Sequence, residues 1–195
     1  MLYLFSKKGR LSHQKAKELY NQVVRHARSP IFYEGYRVPD TVEGRFEMIA
    51  LHGGLLVNRL CSPDMGREGK MLAQAFFDTM FFNLDWSIRE MGVGDLGVPR
   101  RVKQMMSAFK GRAFAYDEAV KAGGGEVNHA LIRNLYATAS RPSPETLNAM
   151  SAYVMECAAR LRAQGLSDFW QGKVTFPDIE FNQQGQNINA PNQAA

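Results

Sequence analysis

Apolar positions recur with helical periodicity along most of the chain. Ala16, Leu19, Tyr20, Val23, Val24 and Ala27 keep the three-and-four spacing of one helix face, and Ser29-Pro30 ends that helix. A loop over Tyr33–Pro39 leads to Asp40, which with Glu43 three residues on predicts a capping box. The helix that follows carries Phe46, Ile49, Ala50, Gly53, Leu56 and Leu60 on one face and Leu51 and Leu55 on another, so burial on two sides is expected. Gly53-Gly54 inside it costs up to ~1 kcal/mol each relative to alanine, and the return is close approach of a neighbouring helix or a kink. Residues 70–91 are the most apolar stretch, with Leu72, Phe76, Phe77, Met80, Phe81, Leu84, Ile88 and Met91 in a stripe that Phe82 and Trp86 widen. This predicts the central helix, with Gly92 placed to take the left-handed conformation after its end.

Further helices are predicted over 99–121 and 126–137. Another opens at Ser143-Pro144-Glu145, with Ser as N-cap, and runs along Leu147, Met150, Val154, Cys157, Ala158 and Leu161 to Gly165. A short helical turn fits 167–172, and the weak alternation of 174–181 fits an extended segment. The expected fold is all-α, a single-domain bundle of about six helices. Its predicted organisation is an apolar and basic segment over residues 1–11, a helical domain over 12–181, and a flexible polar tail over 182–195 that lacks charge and has one large apolar residue, Ile188.

Length and composition narrow the class. A chain of 195 residues with 45% hydrophobic content suits one ordinary core. Two cysteines, Cys61 and Cys157, cannot build a disulfide scaffold or a thiolate zinc site, which points to a reducing compartment. No apolar run reaches the ~18–20 residues of a membrane span. The +5 net charge is uneven. Residues 1–30 hold Lys7, Lys8, Arg10, Lys15, Lys17, Arg25 and Arg28 against Glu18 alone, so the rest of the chain is close to neutral. Met1-Leu-Tyr-Leu-Phe5 precedes its charges, the reverse of a secretory signal, and no transit-type segment leads the first helix. These first residues either touch a membrane interface or pack on the domain.

The motifs favour no catalyst. Gly92-Val-Gly94-Asp-Leu-Gly97 matches G-x-G-x-x-G, but a Phe-rich helix feeds it where a dinucleotide site needs a strand. It reads as a helix–helix turn. His52-Gly53-Gly54 resembles a hydrolase oxyanion segment, yet the chain has no G-x-S-x-G elbow. The four histidines form no H-x-x-x-H pair and no C-x-x-C occurs, so no metal and no cofactor are expected. His52 reads as a hydrogen-bonded structural residue.

The helix over 99–121 is more informative. Val102, Met105, Met106, Phe109, Ala113, Tyr116 and Val120 share one arc. Lys103 and Lys110 flank it on one side, Arg101 and Arg112 on the other, with Arg100 opposite. No acid falls between Asp95 and Asp117. Either this is a core helix whose bases run along its edges, or its basic face meets an anionic membrane surface or a partner; in both readings the bases stay exposed. Ten methionines suit an adaptable apolar surface, although most fill core gaps.

Pro39-Asp-Thr-Val-Glu-Gly-Arg-Phe-Glu-Met48, Ala75-Phe-Phe-Asp78 and Arg89-Glu-Met-Gly-Val-Gly-Asp-Leu-Gly-Val-Pro-Arg-Arg-Val-Lys-Gln104 resemble the ubiquinol–cytochrome c chaperone family. Phe109-Lys-Gly-Arg112-Ala-Phe-Ala-Tyr116 and Arg133-Asn-Leu-Tyr136 fit as well, so that the resemblance spans roughly residues 12–165. It implies an all-helical, non-enzymatic assembly factor that binds newly made cytochrome b and supports assembly of the respiratory cytochrome bc complex. Mitochondrial members work with a small partner protein near the ribosomal tunnel exit. The absence of their N-terminal extension points to a bacterial cytoplasmic member, peripheral at the inner membrane. Client, ribosome and anionic membrane surface are thus the candidate partners, and no RNP, KH or zinc-knuckle pattern supports sequence-specific nucleic-acid binding. The candidate partner-binding residues are Trp86, Arg89, Asp95, Arg100, Arg101, Lys103, Lys110 and Arg112. An RNA- or ribosome-binding module and a peripheral membrane-surface protein stand as alternative readings.

Overall fold

The computed structural model describes residues 7–92, 94, 96–123, 125–138 and 141–178. Asp95 and the polar stretch 182–195 lie outside the described residues. The described residues form eight α-helices and one 3-10 turn, without a strand. The helices are α1 (Lys7–Ala27), α2 (Pro30–Glu34), α3 (Val42–Leu60), α4 (Gly66–Glu90), α5 (Val98–Ala122), α6 (Glu126–Arg133), α7 (Pro144–Ala163) and α8 (Leu166–Trp170). The 3-10 turn Pro63–Met65 joins α3 to α4.

The all-α expectation holds, with two short helices beyond the expected six. One of them, α2, opens at Pro30, whose fixed φ suits the first helical turn; it buries Phe32. The other, α8, is the turn expected near 167–172. The predicted fifth helix stops at Arg133, and turns continue to Thr138. Val174, Phe176 and Pro177 are buried while Lys173 and Thr175 face out, so the predicted alternation is present without a pairing strand. Side chains satisfy its backbone: Val174 N–H donates to Gln22 Oε1 and Thr175 N–H to Gln164 Oε1.

The central helix is α3, not the Phe-rich α4. Twelve of its nineteen residues are buried, and it packs on α1, α4, α5 and α7. The double glycine explains how. A Cβ on Gly54 would lie 3.1 Å from Ala113 Cα of α5, and one on Gly53 3.3 Å from a Phe76 ring carbon of α4. Close approach, not a kink, is what the two glycines supply. The cap of α3 also differs from expectation. Thr41 takes the N-cap, its hydroxyl accepting from Gly44 N–H at 3.1 Å, while Asp40 one residue earlier pairs with Arg45 at 2.6 Å. Ser143 caps α7 as predicted, accepting from Thr146 N–H, and Gly92 follows α4 at φ 79°.

Candidate functional site

Helices α4 and α5 pair through aromatic rings. Phe77 and Phe81 of α4 lie 5.8 and 5.9 Å from the ring of Phe109 on α5, and 4.6 Å from each other. Ile88 and Val98, nearer the turn between the helices, are also buried. Among the described residues no helix covers the outer face of the second half of α4. Phe82 is 73% exposed and Trp86, one turn on, 61%. Met91 and Leu96 in the turn and Phe114 on α5 are exposed too. Five of the seven exposed large hydrophobics among the described residues therefore belong to this one hairpin. Solvent-facing aromatics this concentrated are unusual for a surface without a partner.

The bases around it divide by helix face. Arg112 turns to α3, where its Nε meets both carboxylate oxygens of buried Glu47 at 2.7 and 2.5 Å. That bond raises the Arg112 pKa further above its ordinary value. Arg101 faces the same helix and approaches Glu43 at 3.6 Å, in solvent. Arg112 is therefore half-buried and interhelical, which corrects the expectation that all these bases stay exposed. Arg100 and Lys103 are exposed and have no ion pair with a described residue. Lys110 sits with Nζ 5.3 Å from the Phe77 ring, a cation–π contact at the edge of the aromatic seam. Within α4, Arg89 pairs with Asp85 at 2.7 Å, and Trp86 Nε1–H donates to Glu90 at 2.9 Å.

Of the sequence-derived set, the structure thus places Trp86, Arg89, Arg100, Lys103 and Lys110 on the outside of the hairpin and turns Arg101 and Arg112 towards α3. Two residues escaped that set. Phe82 belongs by its spacing to the widened apolar stripe of α4 and yet faces solvent. Phe114 lies off the α5 arc, the sequence signal of a solvent-facing ring.

A second cluster carries titratable groups but no exposed chemistry. His26 Nε2 and His52 Nε2 both lie 2.6 Å from the Tyr153 hydroxyl, and His52 Nδ1 lies 2.8 Å from Met48 O. A carbonyl only accepts, so His52 carries its proton on Nδ1 and receives the Tyr153 O–H on Nε2. The Tyr153 oxygen then accepts from His26 Nε2–H. Burial pushes His26 down to about 4, opposed by Asp178, and His52 down to about 3, where a charge on His26 would lower it further. Both are neutral links in a chain joining α1, α3 and α7, as the structural reading of His52 expects. Among the described residues no three His, Cys, Asp or Glu side chains converge as metal ligands. The G-x-G-x-x-G segment lies between α4 and α5, with a helix before it.

Comparison with known proteins agrees with this architecture. The crystal structure of the Cbp3 homolog from Brucella abortus superposes with a TM-score of 0.76, at 33% identity, over 91% of this chain and 96% of that one. A Xenopus laevis protein described as ubiquinol-cytochrome-c reductase complex assembly factor 1 is 26% identical over 104 residues, 53% of this chain and 51% of the relative. The chain thus matches about half the length of that curated relative. The ubiquinol-cytochrome C chaperone family profile matches residues 34–176, from α2 through the buried Phe176. On that match, which takes in the whole α4–α5 hairpin together with His52 and Tyr153, the chain belongs to the ubiquinol–cytochrome c chaperone family.

Proposed function

We propose that this protein is a non-enzymatic assembly chaperone for the ubiquinol–cytochrome c reductase complex, and that it holds newly made cytochrome b on the α4–α5 hairpin. Family membership and the assembly role in the name of the Xenopus relative support the first part. One observation carries the second: Phe82 and Trp86 stand one helical turn apart on α4, in solvent, beside a hairpin turn that also exposes Met91 and Leu96. Aromatic and Met side chains present adaptable apolar area, and a membrane-protein segment outside the bilayer offers the matching surface. Arg100, Lys103 and Lys110 at the margin keep the face soluble and attract an acidic flank of the client.

A photo-crosslinking residue in place of Phe82 or Trp86 tests this directly, with Arg160 on α7 as the control position. Cytochrome b is expected among the products from α4 and absent from those of the control. Its absence from α4 products during active respiratory growth would overturn the assignment.

A further inference from the structure

The outer face of α1 has no role in that reading. Its exposed positions are Arg10, Leu11, Gln14, Lys17, Asn21 and Arg25, with Arg28 continuing the same line just past the helix end. Apart from Leu11 at the edge, these residues repeat at three and four, so they form one line. Eighteen residue steps from Arg10 to Arg28 make it about 27 Å long. Every charge on it is positive, and none of Arg10, Lys17, Arg25 and Arg28 has an ion pair with a described residue. The one acid of α1, Glu18, is half-buried and bound by Lys15 Nζ at 2.8 Å. The opposite face of the helix, with Ala16, Leu19, Val23 and Ala27, is fully covered by the bundle. On α5, α3 supplies glutamates to two of the arginines, whereas among the described residues no acid pairs with this stripe.

We propose that this face docks on an anionic lipid bilayer. A straight row of cations on a rigid helix matches a flat sheet of phosphates. The stripe lacks the exposed aromatics on which nucleic-acid bases stack. Leu11, 43% exposed, lies at its edge, and the sequence immediately before it reads Leu2-Tyr-Leu-Phe5, then Lys7 and Lys8. An apolar segment joined to a polybasic patch is the two-signal combination that gives stable yet reversible attachment. The proposal does not depend on which client the α4–α5 hairpin holds.

Co-sedimentation of the full chain with vesicles of phosphatidylcholine, with and without phosphatidylglycerol, tests it. Binding is expected only to the anionic vesicles and is lost at high salt. Each base near such a surface multiplies partitioning about fivefold, so the Arg25→Gln/Arg28→Gln variant should bind roughly 25-fold more weakly, while Arg25→Lys/Arg28→Lys keeps its binding. Removing residues 1–6 should weaken attachment and leave its salt dependence unchanged. Circular dichroism melts confirm that each variant folds. Equal binding to neutral vesicles, or unchanged binding of the Gln variant, would overturn the proposal. So would release of the protein from anionic vesicles by homopolymer RNA at matched phosphate, which would make the stripe a nucleic-acid surface. The crosslink from Phe82 to cytochrome b is read separately, so failure of either proposal leaves the other standing.

Discussion

Mild acid should destabilise the bundle through the junction of α1, α3 and α7 before its carboxylates begin to titrate. His26 and His52 are held neutral on the Tyr153 hydroxyl, with folded pKa values pushed down to about 4 and about 3. In the unfolded chain each titrates near 6.5. Below that pH the unfolded state binds protons that the folded state refuses, so stability falls with pH until the folded value is reached. The slope is about 1.4 kcal/mol per pH unit for each fully buried histidine. Between about pH 6.5 and 5, His52 costs about 2 kcal/mol. His26 is half-exposed and faces Asp178, so its share is nearer about 1 kcal/mol. A loss of about 3 kcal/mol is a large fraction of the ~5–15 kcal/mol that holds an ordinary domain. The carboxylates act in another window. Asp40, Asp64 and Glu145 have lowered pKa values through hydrogen bonds to Arg45, to Ser62 and Arg59, and to their local backbone and Ser143. Whatever stability they add is present above their unfolded values near 4 and is lost only below them. Urea unfolding followed by circular dichroism at about pH 7 and about pH 5 measures the difference. His52→Gln should remove about 1.4 kcal/mol per pH unit from the slope in this window. A flat wild-type response, or a His52→Gln variant as steep as wild type, would refute the assignment of neutral, proton-refusing histidines.

Three other outcomes follow from the packing. Arg112→Leu strands Glu47 in a largely covered site and should cost about 3 kcal/mol in urea unfolding, whereas Arg101→Leu, across a solvent-exposed 3.6 Å pair, should cost less than about 0.5 kcal/mol. Gly54→Ala should destabilise by about 1–2 kcal/mol, because its Cβ meets Ala113 backbone, while Gly111→Ala, with open space around it on α5, should stabilise by roughly 0.5–1 kcal/mol. Phe82→Ala/Trp86→Ala should leave the unfolding midpoint within about 0.5 kcal/mol of wild type and still reduce client capture at least about tenfold, a pairing that a buried structural role for these rings would forbid.

The boundaries of the long helices were legible because spacing, caps and glycines act locally. Ser143 and Gly92 do what their chemistry dictates, and the Gly53-Gly54 pair signals either a close helix approach or a kink, a choice that only the position of Ala113 and Phe76 decides. What local pattern does not carry is coverage. Phe82 and Trp86 have the same composition as a core stripe, and they are surface because no described helix lies over their face of α4. Likewise the wheel of α5 correctly parted Arg101 and Arg112 from Lys103 and Lys110. That one side would be met by Glu43 and Glu47 depends on how α3 lies against it. Tyr153 gave no signal at all, since its partners His26 and His52 are 127 and 101 residues away in sequence. The cap at Thr41 in place of Asp40 turned on a single residue of register, decided by which oxygen reaches Gly44 N–H.

The size of the exposed aromatic face also bears on how a chaperone of this kind releases its client. Covering an aromatic or large aliphatic side chain is worth about 1.5–3 kcal/mol. Phe82 and Trp86 together therefore supply about 3–6 kcal/mol before any ordering cost, which corresponds to a dissociation constant between several mM and tens of μM. Met91 and Leu96 would add a similar amount, of which the cost of association, at least about 4 kcal/mol, takes back most, so that the complex is not permanent. Charges interleave the face: Asp85 and Arg89 pair beside Trp86, Glu90 holds the indole N–H, and Lys110 lies over Phe77. Two copies of the hairpin meeting face to face would have to desolvate those charges, which discourages self-association. A client that burial in a bilayer or in its own complex stabilises by far more than ~6 kcal/mol would leave such a surface spontaneously, so hand-over needs no nucleotide and no covalent step.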